Sequence, residues 1–443
     1  MVVRKPAKVL VGSLVLACLG AGGAIAFGGA EAGSTRAVAT AAMGGAAGAA
    51  PTVSASPRGA SPVMKLSGFD GPVTPDEIKS FRSYVQTLTP AADNIGNQWA
   101  QGHSGEDTKA MGLVYEVSAD RAVLDRMIGF CDAVLSERDD LAARPVGQHV
   151  LWTGKVGPAW PDDVAVTPVA TGGEQGDPVG HLADCGRLVL QTPALWHQPV
   201  TTGDPHGYGA TYLDRAKRFV AEADAAVDRH ILARLLDVSK GDRQYFAADS
   251  PYKGGQPVPW NQQMMFDYGF QNLAVAHQLL GDDPQRVKRY DLLVQTSVDW
   301  FFSQVRKYTD HAGKPAYAWV YAPSTGDPED NDHGSLDCAG LYRAYLSGRY
   351  GITPAMMAPL ANTFVDVMTK GPRHYAGRVD GTDGTGNSAP TADVRSGWLL
   401  MAEFRPDAYQ KLMAADFPQG TTTADDQFSR ALMLKFRRNK PKS

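Results

Sequence analysis

The sequence lacks the short motifs that form zinc centres and redox sites. Neither a C-x-x-C pair nor an H-E-x-x-H segment occurs in the 443 residues, so a dedicated zinc site has no support. Only four cysteines are present, and three of them, Cys131, Cys185 and Cys338, lie beyond the N-terminal segment. Three scattered cysteines do not form a disulfide framework in a chain of this length. We therefore expect no metal and no cofactor, and three buried thiols that act as small apolar side chains.

Long runs of one charge are also missing. Lys and Arg together number 43 against 47 Asp and Glu, which gives a net charge of −4. The terminal segment KFRRNKPKS is basic, but a run this short is typical of a solvated tail. The charge balance therefore gives no electrostatic basis for binding nucleic acid or an anionic membrane surface.

The N-terminal residues 1–32 have the composition of an export signal. Basic residues precede the apolar run VLVGSLVLACLGAGGAIAF, and small residues follow it. The VLAC segment favours a lipoprotein signal with a lipid on Cys18, whereas Ala30–Ala32 favours cleavage as an ordinary signal peptide. An uncleaved anchor helix is a third interpretation, because the run is nearly long enough to cross a bilayer. We favour cleavage and expect a protein that is secreted or held at the cell surface by a lipid.

The composition changes after this segment. Residues 33–65 consist mainly of Ala, Gly, Ser, Thr and Pro with almost no charge. Such a segment cannot bury enough apolar surface to offset its ordering entropy, so we interpret it as a disordered linker. Residues 66–443 carry the periodic apolar pattern of a folded region, and we interpret them as a single catalytic domain.

Apolar residues recur at helical spacing from residue 75 onwards. The segment TPDEIKSFRSYVQTL starts with capping and first-turn acidic residues. After it the chain repeats one module, in which a mostly apolar helix, a Gly/Asp turn and an amphipathic helix follow one another. Good strand candidates are limited to GQHVLW and KPAYAWVYAP. We predict an all-α fold, an α/α toroid of five or six helical hairpins with few short strands; an open helical solenoid is the alternative.

Polar residues gather in the segments that precede the apolar helices. In a toroid the N-terminal ends of the inner helices meet at one end of a central cavity, and clefts with convergent polar groups are typical binding sites. Each acidic residue taken alone is also explained as a helix cap. The residues that these segments contribute are Glu106, Asp107, His181, Asp184, Trp260, Asn261, Gln262, Glu329, Asp330, Asp332, His333, Asp393 and Arg395.

Many aromatic residues lie in loops or at helix starts, where flat apolar rings beside polar groups match the two faces of a sugar. Packing between the hairpins is the alternative interpretation for about half of them. The residues concerned are Trp152, Trp160, Trp196, Trp260, Trp319, Trp398, Tyr317 and Tyr321.

The helix-pair pattern, the W-N-Q helix start and the ED-x-D-H-G-x-x-D segment resemble secreted carbohydrate-active proteins of the six-hairpin, α/α-toroid class. The resemblance covers roughly residues 75–415. That class includes polysaccharide lyases similar to alginate lyases, glycoside hydrolases and sugar epimerases, so the resemblance implies a polysaccharide or oligosaccharide substrate. The N-N-H-x-Y-W run of one alginate lyase group is absent, and that group's catalytic residues are therefore not carried over.

We favour β-elimination on a uronate polymer. This reaction needs a base for the C5 proton, an acid for the leaving oxygen and a group that neutralises the carboxylate. We assign His333 as the base and His181 as a second imidazole. Tyr268 is the first choice of proton donor, and Tyr342 and Tyr317 are alternatives. The expected substrate-binding set is Glu106, Asp107, Trp260, Asn261, Gln262, Asp332 and Arg395.

Hydrolysis by two carboxylic acids is the alternative chemistry. In that case Glu329 or Asp330 is one catalytic acid, and it faces Glu106, Asp107 or Asp184 at a spacing that the sequence does not give. A third hypothesis is a non-catalytic lipoprotein that binds glycans. The abundance of acidic residues disfavours it, because binding alone rarely needs unpaired carboxylates in a cleft.

Overall fold

The computed structural model describes residues 62–323 and 325–439. The predicted signal segment 1–32 and most of the predicted linker lie outside the described residues. The last two residues that we assigned to the linker, Met64 and Lys65, instead form strand β1, and Met64 is fully buried. The folded region therefore begins slightly earlier than predicted. None of the helices in the described ranges is long and apolar enough to cross a membrane.

The described residues are mainly helical, which confirms the all-α prediction. The α-helices are α1 (Pro75–Val85), α2 (Gly96–Ala100), α3 (His103–Ser118), α4 (Arg121–Ser136), α5 (Gly176–Leu190), α6 (Tyr212–Ala226), α7 (Trp260–Leu280), α8 (Pro284–Gln304), α9 (Asn331–Ser347), α10 (Pro354–Asn362), α11 (Ser396–Leu400), α12 (Pro406–Asp416) and α13 (Asp425–Arg438). Wider π-helical turns extend α6 over Val227–Leu235 and α10 over Thr363–Met368.

The strands in the described ranges are short and form four antiparallel pairs. They are β1 (Met64–Lys65) with β8 (Thr421–Thr422), β2 (Leu236–Asp237) with β3 (Tyr245–Phe246), β4 (Arg306–Thr309) with β5 (Pro315–Ala318), and β6 (Thr369–Gly371) with β7 (His374–Tyr375). The predicted strand in KPAYAWVYAP is confirmed as β5. The predicted strand in GQHVLW is wrong, because Leu151 makes only an isolated bridge to Val169.

Local sequence signals account for several helix starts. Thr74 caps α1, and Glu77 accepts from the Thr74 backbone in return, which completes a capping box. Asp120, Asp283 and Thr353 each accept from a backbone N–H at the starts of α4, α8 and α10. These contacts satisfy N–H groups that have no partner within the helix.

The helices fall into a buried set and a one-sided set, as the sequence pattern predicts. Every residue of α5 is buried except Arg187, and α7 is almost as completely enclosed. By contrast, α8 buries one stripe, which includes Tyr290, Val294 and Phe301. We call α3, α5, α7, α9, α11 and α13 the core helices. The three thiols Cys131, Cys185 and Cys338 are free and buried, as expected.

The core helices contact one another in chain order. Helix α3 contacts α5, α5 contacts α7, α7 contacts α9, α9 contacts α11, α11 contacts α13, and α13 contacts α3. The one-sided helices lie against this series, since α4 packs on α3 and α5, α6 packs on α5 and α7, and α8 packs on α7. The last contact, between α13 and α3, joins the two ends of the folded chain.

Helix α13 was missed in the sequence, where its C-terminal part was predicted to be a solvated tail. Phe428, Ala431, Leu432 and Leu434 are fully buried. Lys435 is also buried and donates to Glu77 at 2.6 Å. Lys435 therefore forms an ion pair inside the fold, and the spacing of the apolar residues is the signal that predicts a buried helix.

Candidate active site

The start of α9 holds a histidine in a fixed orientation. Asp330 is the N-cap residue of α9 and accepts from the backbone N–H of His333 at 2.9 Å. The second oxygen of the same carboxylate lies 2.6 Å from His333 Nδ1. Because an ionised carboxylate only accepts, Nδ1 carries the proton and Nε2 is left as the basic nitrogen. One aspartate therefore caps the helix and orients the imidazole.

The environment of His333 raises its pKa. Burial by itself lowers the pKa of an imidazole, but the hydrogen bond and the charge of Asp330 outweigh it. The side chain of His333 retains 21% exposure, so the ring is reachable from solvent. An imidazole that is held in one orientation, is exposed to solvent and has a shifted pKa is typical of catalytic histidines.

Two loops bring a tyrosine and a lysine beside this histidine. The ring of Tyr321 lies 4.9 Å from the ring of His333. Lys253 Nζ donates to Tyr321 Oη at 3.1 Å, and next to it Tyr252 Oη accepts from Gln262 Nε2 at 2.6 Å. We call Tyr252, Lys253, Gln262, Tyr321, Asp330 and His333 the rim site; each is partly exposed.

Burial and neighbouring charges keep Tyr321 in its phenol form. Its pKa is raised by burial first, and then by Tyr252, Glu329 and Asp330. Burial also lowers the pKa of Lys253, while the charge of Glu329 opposes that change. The rim site therefore combines a basic imidazole nitrogen, an undissociated phenol and an amine group within a short distance of one another.

Two fully buried carboxyl groups lie behind the rim site. Glu329 and Asp337 lie next to each other, and Trp319 Nε1 donates to Asp337 at 2.8 Å. Burial raises the pKa of both carboxyl groups, that of Asp337 to about 7. The charges of Asp337 and Asp330 raise the pKa of Glu329 further. At least one of the two is therefore protonated near neutral pH, because two adjacent carboxylates cannot both ionise in an apolar environment.

Glu329, Asp330 and His333 are also the one group of metal-type ligands found among residues 62–323 and 325–439. Their ligand atoms lie within 4.8 Å of one another. Two carboxylates and one imidazole suit a divalent cation. Asp330 already holds His333 Nδ1 by a hydrogen bond. A cation that bound Nδ1 together with the same Asp330 oxygen would have to replace that hydrogen bond.

Arg395 lies beside this site but does not carry a free charge. It forms an ion pair with Asp332 at 2.6 Å, which joins the start of α11 to the start of α9. Both residues belong to the predicted substrate-binding set, and both are partly exposed, at 22% and 24%. Arg373 is exposed and forms an ion pair with Asp393.

The structure places two predicted catalytic residues elsewhere. His181 is fully buried, its Nε2 bonds the carbonyl of Trp99 at 2.6 Å, and burial lowers its pKa to about 3. Tyr268 is also buried and donates to Asp184 at 3.1 Å. Neither contacts His333 in the part of the chain that the structure describes. Their assignment as partners of His333 is therefore corrected, and the tyrosine beside His333 is Tyr321.

Trp260 and Asn261 are buried at the start of α7. The ring of Trp260 is fully buried against Trp300 and Phe301, with edge-to-face contacts of 5.5 and 5.4 Å. It therefore cannot stack on a sugar, and its predicted binding role is wrong. Asn261 is 2% exposed, whereas its neighbour Gln262 reaches the rim site.

Two further predicted acids, Glu106 and Asp107, lie on α3, and each is close to other ionisable groups. Glu106 forms ion pairs with Lys109 at 3.3 Å and with Arg430 at 3.7 Å. Burial opposes ionisation, but these cations hold the pKa of Glu106 below its ordinary value. Asp107 is buried beside Asp425, and burial raises its pKa to about 6.

A chain of polar contacts links the starts of the core helices. On one side Lys109 of α3 pairs with Asp177 of α5 at 3.0 Å. On the other side Arg430 of α13 reaches Glu106 of α3 and donates to Ser396 of α11. Together with the Arg395–Asp332 pair and the rim site, these contacts link the starts of most core helices. Between α5 and α7 the contact is one of packing, because Gly173, just before α5, lies against the side-chain carbons of Gln262.

Two surface pockets lie apart from the rim site. One has a volume of about 490 Å³ and is lined by Tyr345, Pro354, Ala355, Ala358, Glu403 and Phe404. The other measures about 410 Å³ and is lined by Lys217, Val220, Ala221, Asp224, His277, Leu280 and Asp282. Neither is lined by a residue of the rim site.

Comparison with known proteins adds no relative. No protein family, curated protein sequence or solved structure matches this chain.

The sequence pointed to part of this site and missed the rest. His333, Asp330 and Gln262 stand in polar segments before apolar helices, which is a visible signal. Lys253 gave none, and Asp337 was visible only as the last residue of the ED-x-D-H-G-x-x-D segment. Tyr321 was noticed only as one of several loop aromatics, because nothing local shows that it lies beside an imidazole.

Proposed function

We propose that this protein is a secreted or lipid-anchored polysaccharide lyase that cleaves a uronate polymer by β-elimination. The observation that carries the proposal is the contact of the Asp330–His333 pair with Tyr321, whose hydroxyl accepts from Lys253. β-Elimination needs a base, a proton donor and a cation for the carboxylate, and these three chemical types meet in the rim site.

The proposal includes the closure of the core helices into an α/α toroid. The cyclic order of their contacts supports it, because α13 returns to α3 and leaves no end of the series uncovered. An open solenoid would leave its first and last repeats apart. The chain of polar contacts through the helix starts agrees with a common rim at one end of the ring.

Each residue of the rim site has a defined role in the proposed reaction. His333 Nε2 removes the C5 proton of the uronate, while Asp330 holds the ring and stabilises the imidazolium that forms. Tyr321 Oη gives its proton to the leaving O4. Lys253 is placed to stabilise the resulting phenolate, and with Gln262 it binds the uronate carboxylate.

The carboxyl groups give less support to hydrolysis. A glycosidase needs two carboxyl groups that are separated by about 5 Å or more across the substrate. Glu329 instead lies next to Asp337, and both are fully buried. The acids that we expected on the opposite side, Glu106 and Asp184, are paired with Lys109 and Arg187.

A cleavage assay on uronate polymers tests the proposal. The mature protein is incubated with polyguluronate, polymannuronate and polyglucuronate, and the ultraviolet band of an unsaturated uronate is followed. We expect this band with one of them, and a loss of roughly 10²–10⁴ in kcat for both His333→Gln and Tyr321→Phe. Tyr317→Phe is the matched control, because Tyr317 packs on Phe302 away from His333, and it should keep the wild-type rate.

Two other outcomes would contradict the proposal. Release of reducing sugar without the ultraviolet band would indicate hydrolysis. Binding of a glycan without any cleavage would indicate the non-catalytic alternative.

A further inference from the structure

A group of cations lies among the core helices, beside the acids Glu106 and Asp177. Lys109 comes from α3, Arg343 from α9 and Arg430 from α13, and we call these three residues the inner cations. Two of them are committed to partners, since Lys109 bonds Asp177 and Glu106, and Arg430 bonds Ser396 and Glu106.

Arg343 is the inner cation whose donors are not used. Its guanidinium lies over the ring of Tyr268 at 4.1 Å. Within residues 62–323 and 325–439 it has no hydrogen-bond acceptor and no ion pair, although it is close enough to influence Glu106, Asp177 and His181. Tyr268 belongs to α7, so the guanidinium of Arg343 lies where α9 and α7 contact each other. It is only partly exposed.

We propose that Arg343 is the centre of a second anion-binding subsite, which takes a carboxylate of the acidic polysaccharide. A planar guanidinium fixed by an aromatic ring presents paired N–H donors in the geometry that a carboxylate accepts. Arg343 lies ten residues after His333 on α9, which corresponds to about 15 Å along the helix axis. The subsite therefore binds a sugar unit away from the one that reacts at His333. This inference rests on the proposed function, because it assumes a polymer with repeated carboxylates.

Arg343→Met tests the subsite, because it removes the charge and keeps an unbranched apolar side chain on Tyr268. Cleavage of uronate oligosaccharides is measured over increasing chain length. For the wild type we expect KM to fall once the chain is long enough to reach Arg343. In the variant that fall should be lost, which raises KM about tenfold for long chains, with kcat and the KM of the shortest substrates unchanged. Arg373→Met, at an exposed arginine, is the matched control. Equal KM values for wild type and Arg343→Met at every chain length would overturn the subsite.

Direct binding separates this inference from the proposed function. Long oligoguluronate, oligomannuronate and oligoglucuronate are titrated against the wild type, Arg343→Met and Arg373→Met by calorimetry. Weaker binding to Arg343→Met alone supports the subsite even if no oligomer is cleaved, in which case only the lyase proposal fails. Equal binding to all three proteins, or no binding to any of them, contradicts the subsite. Inorganic sulfate is titrated as a competitor of the oligomer. If sulfate displaces the oligomer at equal concentration, the subsite takes any anion and does not select a uronate.

Discussion

At the scale of single residues, the central feature is Asp330, which both caps α9 and orients the imidazole of His333. Asp330 was recognisable in the sequence as a helix cap, and His333 as a candidate base, but their mutual contact was not. The contact follows from local geometry, since the N-cap carboxylate of a helix lies next to the third residue of its first turn. The same carboxylate that satisfies the backbone N–H also reaches the imidazole.

The raised pKa of His333 predicts a particular pH dependence. The base must be neutral, so activity should rise with pH through the pKa of His333, which lies above its ordinary value because of Asp330. Asp330→Asn removes that charge, and the rising limb of the kcat profile should move to lower pH. The maximal rate should also fall, by part of the roughly 10²–10⁴-fold that a general base supplies. Asp393→Asn, at an exposed position, should leave the profile unchanged, and a profile that stays in place in Asp330→Asn would contradict the assignment.

A chelator shows whether Glu329, Asp330 and His333 bind a metal ion or whether Asp330 only holds His333 by a hydrogen bond. If Asp330 holds His333 by a hydrogen bond, treatment of the protein with excess EDTA should leave the cleavage rate unchanged within error. The rate is measured before treatment, after dialysis, and after addition of Ca²⁺, Mn²⁺ or Zn²⁺. A loss of activity that one of these ions restores would show that the three residues bind a metal instead.

At the scale of elements, the close approach of α5 and α7 depends on glycine. Gly176 faces the backbone of Met265 and Phe266, and Gly180 faces the ring of Tyr268. A Cβ at either position would overlap these atoms. The sequence shows glycines in an apolar helix, but it does not show which of them a neighbouring helix contacts.

Gly180→Ala should therefore destabilise the fold. The added methyl group has to displace the Tyr268 ring, and such overpacking typically costs about 1–3 kcal/mol. Gly129→Ala is the matched control, because Gly129 lies in α4 with no atom within 4 Å of an added Cβ. That change should stabilise slightly, by up to about 1 kcal/mol, since alanine is the better helix former. Urea unfolding measures both, and equal unfolding midpoints would refute the packing argument.

At the scale of the whole molecule, the N-terminal and C-terminal parts of the folded region are joined by a strand pair, a hydrogen bond and a buried ion pair. Strand β1 pairs with β8, and Tyr409 Oη donates to the carbonyl of Phe69 at 2.7 Å. Lys435 of α13 reaches Glu77 of α1 at 2.6 Å, and both side chains are almost completely buried, at 2% and 0% exposure. Glu77 also accepts from the backbone of Ser67 and Thr74, so this carboxylate joins three segments.

Lys435→Met should strongly destabilise the protein. It leaves the Glu77 carboxylate buried without its cation, and breaking a buried pair in this way costs about 3–5 kcal/mol. Arg234→Met is the control, because Arg234 pairs with Asp249 on the surface, where an ion pair contributes about 0–1 kcal/mol. The free energy of unfolding is measured by denaturant titration at constant pH. A change for Lys435→Met as small as for Arg234→Met would show that α13 is not fastened by this pair.

The sequence by itself determined the helices of this protein and the identity of His333 and Asp330 as functional candidates. Helix periodicity and capping depend on residues within a few positions of one another, so they are visible in the linear pattern. The tertiary structure decided which polar residues meet. Lys253 and Tyr321 are separated by 68 positions yet share a hydrogen bond, whereas Trp260, two positions before Gln262, is buried in the core. The sequence shows which residues stand at a helix start. The groups that their side chains contact depend on how neighbouring helices and loops pack.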